Sequence, residues 1–600
     1  MVHTYGLIGL IRLTALLLLG AVPLALSHGH GSHDGEMEGM GVPKTGHLTT
    51  SNSTLAVSMN SSTAEPQSYF TYPDYGALML AHIVLMTIAW FFILPISVML
   101  SVARSKFAPV VQLALLGCHS FGLLLGTIYG GKTPDLYENN VHIKIGWIVT
   151  FIVVVQCVIG LIKLATSIRE PQQASAEEQS PFLPMSTEVL AQQQATRYQD
   201  AYRYSQDSGH FTASESSRSQ SISSMQEQNK EEERKLHDYN DDLRDAEADH
   251  AEKQGLLGNA KVQRAATCIT AMLSKRAMRI LNTIYHAIDC ISLPLGFAAI
   301  VSGAVVYGGV FRGNNVFNGL AHTIKGGIFF WYGLLTLGRW MGCFAEMGWA
   351  WNLKPPVGVI SSWKARIPSA EFVESFVIFL YGASNMWLEH LAAWGKAWTA
   401  QDFEHVSISI MFFGGGLCGM LVESKRIRAF LNISILTSSS AQGSRSTKEH
   451  LEPPKTYPFS LNPFPGLIIL LLGLMMSSHH QASMVSTMVH KQWGTLFVGF
   501  ALARAVTYIL TYLAPPSSYL PSRPPSELIS SFCLVSGGLI FMASNKDTVA
   551  AMENHDLHAM FPFTITMGFT CFLMAWTIIV LAVKGWAFKR QTPSSMRNSA

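Results

Sequence analysis

Apolar runs of membrane length alternate with short polar breaks along most of this 600-residue chain. Polar stretches at 28–70 and about 169–275 interrupt the alternation. A hydrocarbon core about 30 Å thick requires roughly 20 apolar residues in a helix. The runs at 76–102, 110–129, 141–164, 279–305, 320–339 and 372–390 meet that length, or nearly so, as do 405–422, 467–489, 493–513, 528–544 and 561–583. The pattern predicts an all-α polytopic membrane protein of about eleven transmembrane helices.

An odd number of spans puts the two ends of the membrane domain on opposite sides. Short cytoplasmic loops are enriched in Lys and Arg. One set of loops carries Arg104/Lys106, Lys354/Lys364/Arg366, Lys425/Arg426/Arg428 and Lys584/Lys589/Arg590. The other set carries about one each: Lys132, Arg312, Lys396, Lys491 and Lys546. The bias predicts an N-terminus in the lumen or outside the cell and a cytosolic C-terminus.

The remaining segments follow from that orientation. An apolar stretch at 7–26 ending in Ala25-Leu26-Ser27 reads as a signal peptide over 1–27. Behind it, 28–70 is a tail rich in His, Met, Ser and Thr, with glycosylation sequons at Asn52 and Asn60. Residues 71–168 form a three-helix block, 276–590 a larger multi-helix domain and 591–600 a cytosolic tail. The connecting 169–275, rich in Gln, Ser, Glu and Asp, buries too little apolar surface to offset ordering entropy. It reads as a disordered cytosolic loop, with a transient helix near 227–253 and phosphorylatable serines at 214–224. A second polar loop, 424–457, shares that side, so its sequon at Asn432 should be silent. The setting is a secretory-pathway membrane, endomembrane or plasma membrane, with lipid as the obligate partner.

Charged residues make up 14% of the chain, against about 25% in soluble domains. The net charge of +3 is spread beside the spans. No basic stripe interleaved with aromatics exists for nucleic acid. The eight cysteines lie in or near spans or, as Cys268, in the cytosolic loop, so a disulfide framework is not expected. No hydrolase triad, Walker loop or dinucleotide fingerprint is present.

The first three spans each contain one histidine: His82, His119 and His142. An ionisable ring inside a membrane helix marks a functional-site hypothesis, and imidazole is a common axial ligand of haem iron. The first and third helices enter from the same side, so His82, about 9 Å inside its helix, can approach His142 at the mouth of its own. His119 lies halfway along the second helix, and His286 in the fourth is its natural partner. Two haems b held this way would form an electron path across the bilayer. Asp289, one turn from His286, either orients that ring or engages in an ion pair. The alternative is that all four histidines bond to protein groups and hold no cofactor.

The run Ala81-His82, Leu85-Met86, Ala89-Trp90, Leu94-Pro95, Ala103-Arg104 resembles the first haem helix of the ascorbate-dependent transmembrane b-type cytochromes. His142, Gly146 and Gln156 are similar to their third. The resemblance covers roughly 90 residues. It implies His82 and His142 as outer ligands, with His119 and His286 as the inner pair by chain order. The chain departs from that family in its long polar loop before the fourth span and has no recognisable ascorbate site. A second resemblance covers most of the chain. Its order of signal, three-helix block, long loop and larger block resembles the fungal "yeast putative transmembrane protein" family. So do the stretch LYGASNMWLEHL at 380–391, Asp402-Phe-Glu404-His405 and 414–421.

Histidines of the C-terminal domain collect at one set of span ends: His322, His390, His405, His479, His480, His490, His555 and His558. Glu389-His390 and Glu404-His405 face each other across a short loop. With His479 and His480 they compose a candidate Zn, Cu or Fe site. Interfacial capping is the competing reading. Glu374 and Arg504 inside spans either line a proton or ion path, form a buried pair or lie near interfaces. If cleavage follows Ser27, the new N-terminus offers His28, His30 and His33, a nitrogen set suited to Cu(II), with Met37 and Met40 nearby. Two functional classes with chemistry therefore stand beside a third without it. One is bis-His haem electron transfer, from a small-molecule reductant or to a lumenal metal. The other is a metal-cation or proton-coupled transporter, and a membrane scaffold without catalytic content is the third reading.

Overall fold

The computed structural model describes residues 68–178, 274–392, 397–440, 454, 456–479 and 481–591. The expected signal peptide, nearly all of the His/Met tail and of the cytosolic loop, and the last nine residues lie outside them. All long elements are helices: α1 Gly76–Val102, α2 Ala108–Lys132, α3 Val141–Glu178, α4 Lys275–Gly308, α5 Val316–Met341 and α6 Ala370–Ala392. They continue with α7 Ala400–Glu423, α8 Lys425–Ser440, α9 Phe464–Ser478, α10 Met484–Leu513, α11 Ser526–Ala543, α12 Lys546–Asn554 and α13 Met560–Gln591.

Among the described residues eight helices are long and apolar enough to cross a membrane: α1 to α4, α7, α10, α11 and α13. The other three expected spans are helical but fall short of that measure. Helix α9 has 15 residues, about 22 Å of rise. Helices α5 and α6 carry polar groups that the neighbouring helices, rather than lipid, surround. The boundary near His479 is also resolved. The span from 467 was expected to run to 489 or to stop earlier with His479 at its mouth; it stops at Ser478, and a new helix starts where Ser483 Oγ accepts a hydrogen bond from Ser486 N (3.1 Å). That cap satisfies a helix-end donor, and it places His490 inside α10, where it is buried.

Helices α1 to α4 form an N-terminal bundle around Trp90, Leu94, Leu115 and Val153. Pro95 in α1 has no N–H and crowds the carbonyl one turn back. A π turn over Ile88–Ile93 absorbs the strain, and the freed Phe91 carbonyl accepts a hydrogen bond from Trp576 Nε1 of α13 (3.0 Å). Stacked Phe91–Phe572 and Phe107–Trp586 continue the seam between the two halves. The C-terminal bundle centres on Trp493, Phe497, Phe500, Leu534 and Phe541. Helices α5 and α11 cross closely at Gly326 and Gly538. A Cβ on Gly326 would lie 2.6 Å from the Gly538 carbonyl, and the reverse distance is equal. Small residues at such crossings let backbones touch, which substitutes for the hydrophobic drive that lipid removes.

Candidate functional site

In the N-terminal bundle the histidines are held by protein groups. His82 Nδ1 donates to the Gly122 carbonyl (2.8 Å), with its ring edge against Gly126. Ser302 Oγ donates to the Ala299 carbonyl (3.1 Å), so it accepts from His142 Nδ1 (3.1 Å), and that ring lies against Gly303. Each of these two rings is left with Nε2 as a lone-pair nitrogen.

His119 differs. Trp90 Nε1 donates to its Nδ1 (3.3 Å). Its Nε2 meets Thr150 Oγ1 at 2.8 Å, and that hydroxyl already donates to the Gly146 carbonyl (2.7 Å). The ring must therefore carry its proton on Nε2 and accept on Nδ1. Both nitrogens are used, and no lone pair remains for iron. The inner haem pair expected from His119 and His286 does not fit this arrangement. Asp289 is engaged by side chains of α1 and α3. It accepts from Ser101 Oγ (2.6 Å) and Gln156 Nε2 (2.8 Å), while His286 sits beside Tyr285.

The C-terminal bundle holds a half-open cavity of about 870 Å³ between α5, α6, α7, α9 and α10, with α12 at one end. We call the end where α5, α7 and α10 begin and α9 stops the histidine end. His322, His405, His479 and His490 line the cavity there, with Glu404, Glu553, Lys325 and Lys546. Its middle is aromatic and aliphatic: Trp331, Tyr381, Phe412, Leu472 and Trp493. Tyr332 and Glu374 line it farther toward the opposite end.

His322 and His490 come together, with ring centroids 6.1 Å apart. Each donates Nδ1–H to a carbonyl one turn back on its own helix, Asn318 and Ser486 respectively, both at 2.8 Å. That tautomer leaves Nε2 of both rings as an acceptor. His479 Nδ1 lies 3.7 Å from Glu404 Oε2, a loose and half-exposed pair. Among the described residues no group of three or more His, Cys, Asp and Glu is placed to hold a metal ion. His28, His30, His33 and His480, and the side chains of Glu389 and His390, lie outside the described part.

At the arginine end, where α5 stops and α6 and α11 begin, five charged side chains are buried together. Arg339 donates Nη2 to Glu371 (2.8 Å), Nη1 to Glu374 (2.6 Å) and Nε to the Trp349 carbonyl (2.7 Å). Trp351, in left-handed backbone (φ 49°), lays its indole 4.3 Å from that guanidinium. Strain of this kind at a non-glycine residue is costly and survives where packing enforces it. Arg504 reaches Glu374 through Nη1 (3.3 Å), and its Nε lies 2.7 Å from Glu527 Oε1 without alignment for a hydrogen bond. None of the five is more than 7% exposed. The sequence exposed Glu374 and Arg504 as intramembrane charges. Arg339, Glu371 and Glu527 escaped because each sits at a helix end, where a charge ordinarily means an interface.

Comparison with known proteins gives the chain its relatives. Residues 295–585 match the family described as "Protein YTP1-like, C-terminal", and 63–166 match a domain of unknown function (DUF2427). An uncharacterised membrane protein of Schizosaccharomyces pombe is 33% identical over 534 residues, 85% of this chain and 94% of that protein. An uncharacterised membrane protein of Saccharomyces cerevisiae is 38% identical over 333 residues, 54% of this chain and 51% of its own length. Protein YTP1 of the same yeast is 21% identical over 294 residues, 49% and 52% of the two chains. No solved structure matches. With one relative matched at that identity along nearly its whole length, the chain belongs to the YTP1-like family of fungal multi-pass membrane proteins.

Proposed function

We infer that the C-terminal helices form a carrier domain that binds a small solute within the membrane. The observation that carries this reading is the cavity of about 870 Å³. Ligand sites span roughly 300–1,000 Å³, with apolar walls and a few convergent polar groups. Here the wall is aromatic, one end offers histidines with charges of both signs, and Glu374 is reached at the other. The best match is a molecule with an apolar body and polar groups at its ends. The His322–His490 pair favours a second reading, carriage of a Zn or Cu ion. Two acceptor nitrogens in one wall supply part of a coordination shell, and the cargo's own ligands or water complete it. In the expected orientation the histidine end faces the lumen or the outside.

Ile378 lies in the cavity wall on α6, between Glu374 and Tyr381. A carrier predicts that Ile378→Cys reacts with a charged methanethiosulfonate added to sealed vesicles, with the modified site mapped by mass spectrometry. Zn²⁺ should slow the reaction if the metal reading holds. A cysteine there that stays unreactive from both membrane sides, in folded protein, would remove the carrier reading.

A further inference from the structure

The buried charges at the arginine end do not balance. Two arginines face three glutamates, which leaves one negative charge among side chains no more than 7% exposed. Other groups nearby do not cancel it. Helix α5 contributes Tyr332 besides Arg339, α10 contributes Tyr508 besides Arg504, and α9 contributes no charged residue. From α7, Glu423 faces Glu371. It accepts hydrogen bonds from Ser369 and Ser460, while Arg428 donates to its backbone carbonyl. A lone charge out of water costs several kcal/mol, so such a group neutralises itself.

The cavity identifies the odd member. Arg339 holds Glu371 (2.8 Å) and Glu374 (2.6 Å), and Arg504 lies 2.7 Å from Glu527, so the other two glutamates each keep an arginine without Glu374. Glu374 bridges both arginines and is the one cluster carboxylate that lines the cavity. A second, independent observation concerns Arg504. Its Nε and Nη2, both carboxyl oxygens of the fully buried Glu527 and the Tyr508 hydroxyl have no hydrogen-bond partner. Arg339, by contrast, has all three kinds of guanidinium nitrogen bonded. Arg504 is thus the loosely committed cation of the cluster.

We propose that Glu374 is a proton-loading site in the cavity, with Arg504 as the positioning counter-charge that responds when the proton leaves. In the loaded state Glu374 accepts from Arg339 through Oε1 and carries the proton on Oε2. On release the Oε2–H bond breaks and its proton passes to water in the cavity. The resulting carboxylate draws the Arg504 guanidinium away from Glu527. A metal cation is a poorer occupant, since it would sit beside two guanidiniums. The inference deepens the carrier reading and rests on the cavity admitting water, which the Ile378→Cys labelling tests without reference to Glu374.

The experiment is infrared difference spectroscopy of the purified protein in nanodiscs across a pH titration. A carbonyl band from a protonated carboxylic acid should be present in the wild type, vanish in Glu374→Gln and persist in Glu404→Gln, a change at the cavity rim. Dicyclohexylcarbodiimide, which attacks protonated carboxyls in apolar surroundings, should label Glu374 of the unmodified protein at neutral pH. That second measurement serves if Glu374→Gln does not fold. Absence of the band in the wild type, its survival in Glu374→Gln, or failure of the reagent to label Glu374 would each overturn the proposal. Failure here alongside a reactive Ile378→Cys would leave a carrier without this proton site.

Discussion

In the N-terminal bundle His119 and Asp289 spend their polar atoms on neighbours, whereas Arg504 and Glu527 of the C-terminal bundle are equally buried and leave several unspent. The first style closes upon itself. Indole, hydroxyl and amide donors come from adjacent helices, with Gln112 donating to Tyr285 (2.6 Å) in the same manner. Gln112 Oε1 and Ser97 Oγ are its exceptions. The second style is charged, strained at Trp351 and bordered by a cavity. Buried polar atoms in native proteins are nearly always partnered, so a cluster of unpartnered ones marks where something else enters. On the carrier reading proposed above, the first block is bundle architecture and the second is where a solute would be handled.

The largest expected effect tests that contrast directly. Arg339→Ala removes the cation from Glu371 and Glu374 together, and breaking one side of a buried pair costs about 3–5 kcal/mol. Asp289→Asn keeps an oxygen that still accepts a hydrogen bond and disturbs neutral donors only. It should cost about 1 kcal/mol, near the net worth of one hydrogen bond. Melting of the two variants in the same detergent compares them. Equal losses would mean that the N-terminal network is as electrostatically committed as the C-terminal one, and the distinction drawn above would fail.

A smaller effect is expected at His119, where the haem reading and the hydrogen-bond reading part. His119→Ala strands Trp90 Nε1 and removes the ring that Thr150 accepts from, a loss of about 1–3 kcal/mol. The visible reduced-minus-oxidised spectrum after haem-supplemented expression should not change between the two proteins. A b-type band lost on this substitution would restore the inner haem and force Trp90 and Thr150 to rearrange. A band sensitive only to His82→Ala or His142→Ala would confine haem to the pair whose Nε2 atoms have no assigned role.

How much of this was legible beforehand follows from what periodicity and residue type encode. Apolar runs gave the all-α architecture, and each expected span overlaps a helix, with 467–489 taking in most of α9 and the start of α10. Helices α5 (26 residues) and α6 (23 residues) have the length of a span but not the apolarity of the other eight, since Arg339, Glu371 and Glu374 pack against one another inside the bundle. The stop at Ser478 was one of two extents the pattern allowed, because residues 484–489 continue the apolar run and Ser483, whose cap starts α10, is an ordinary serine in sequence. Glu374 and Arg504 stood out as charges within spans. Their partners did not, since a partner is a fact of three-dimensional adjacency. The haem expectation came from one histidine per helix, which fixes depth along the axis. It says nothing of Thr150 and Trp90, which take the two nitrogens of His119.

The smallest effect separates stability from function at the cavity mouth. Glu404 and His479 are 3.7 Å apart with side chains 57% and 32% exposed, so water screens the pair and Glu404→Gln should move stability by less than about 0.5 kcal/mol. Its charge nonetheless stands in the wall of the cavity. Removing it should slow the labelling of Ile378→Cys by a cationic methanethiosulfonate and quicken labelling by an anionic one, because charge at a narrow mouth biases the local ion concentration. A melting temperature that holds while the ratio of the two rates shifts is the signature of a mouth through which solutes pass. If both rates stay fixed, entry to the cavity does not run past Glu404 and the histidine end is not its mouth. The carrier would then have to load by another route, and the rim histidines would lose their claim on the solute.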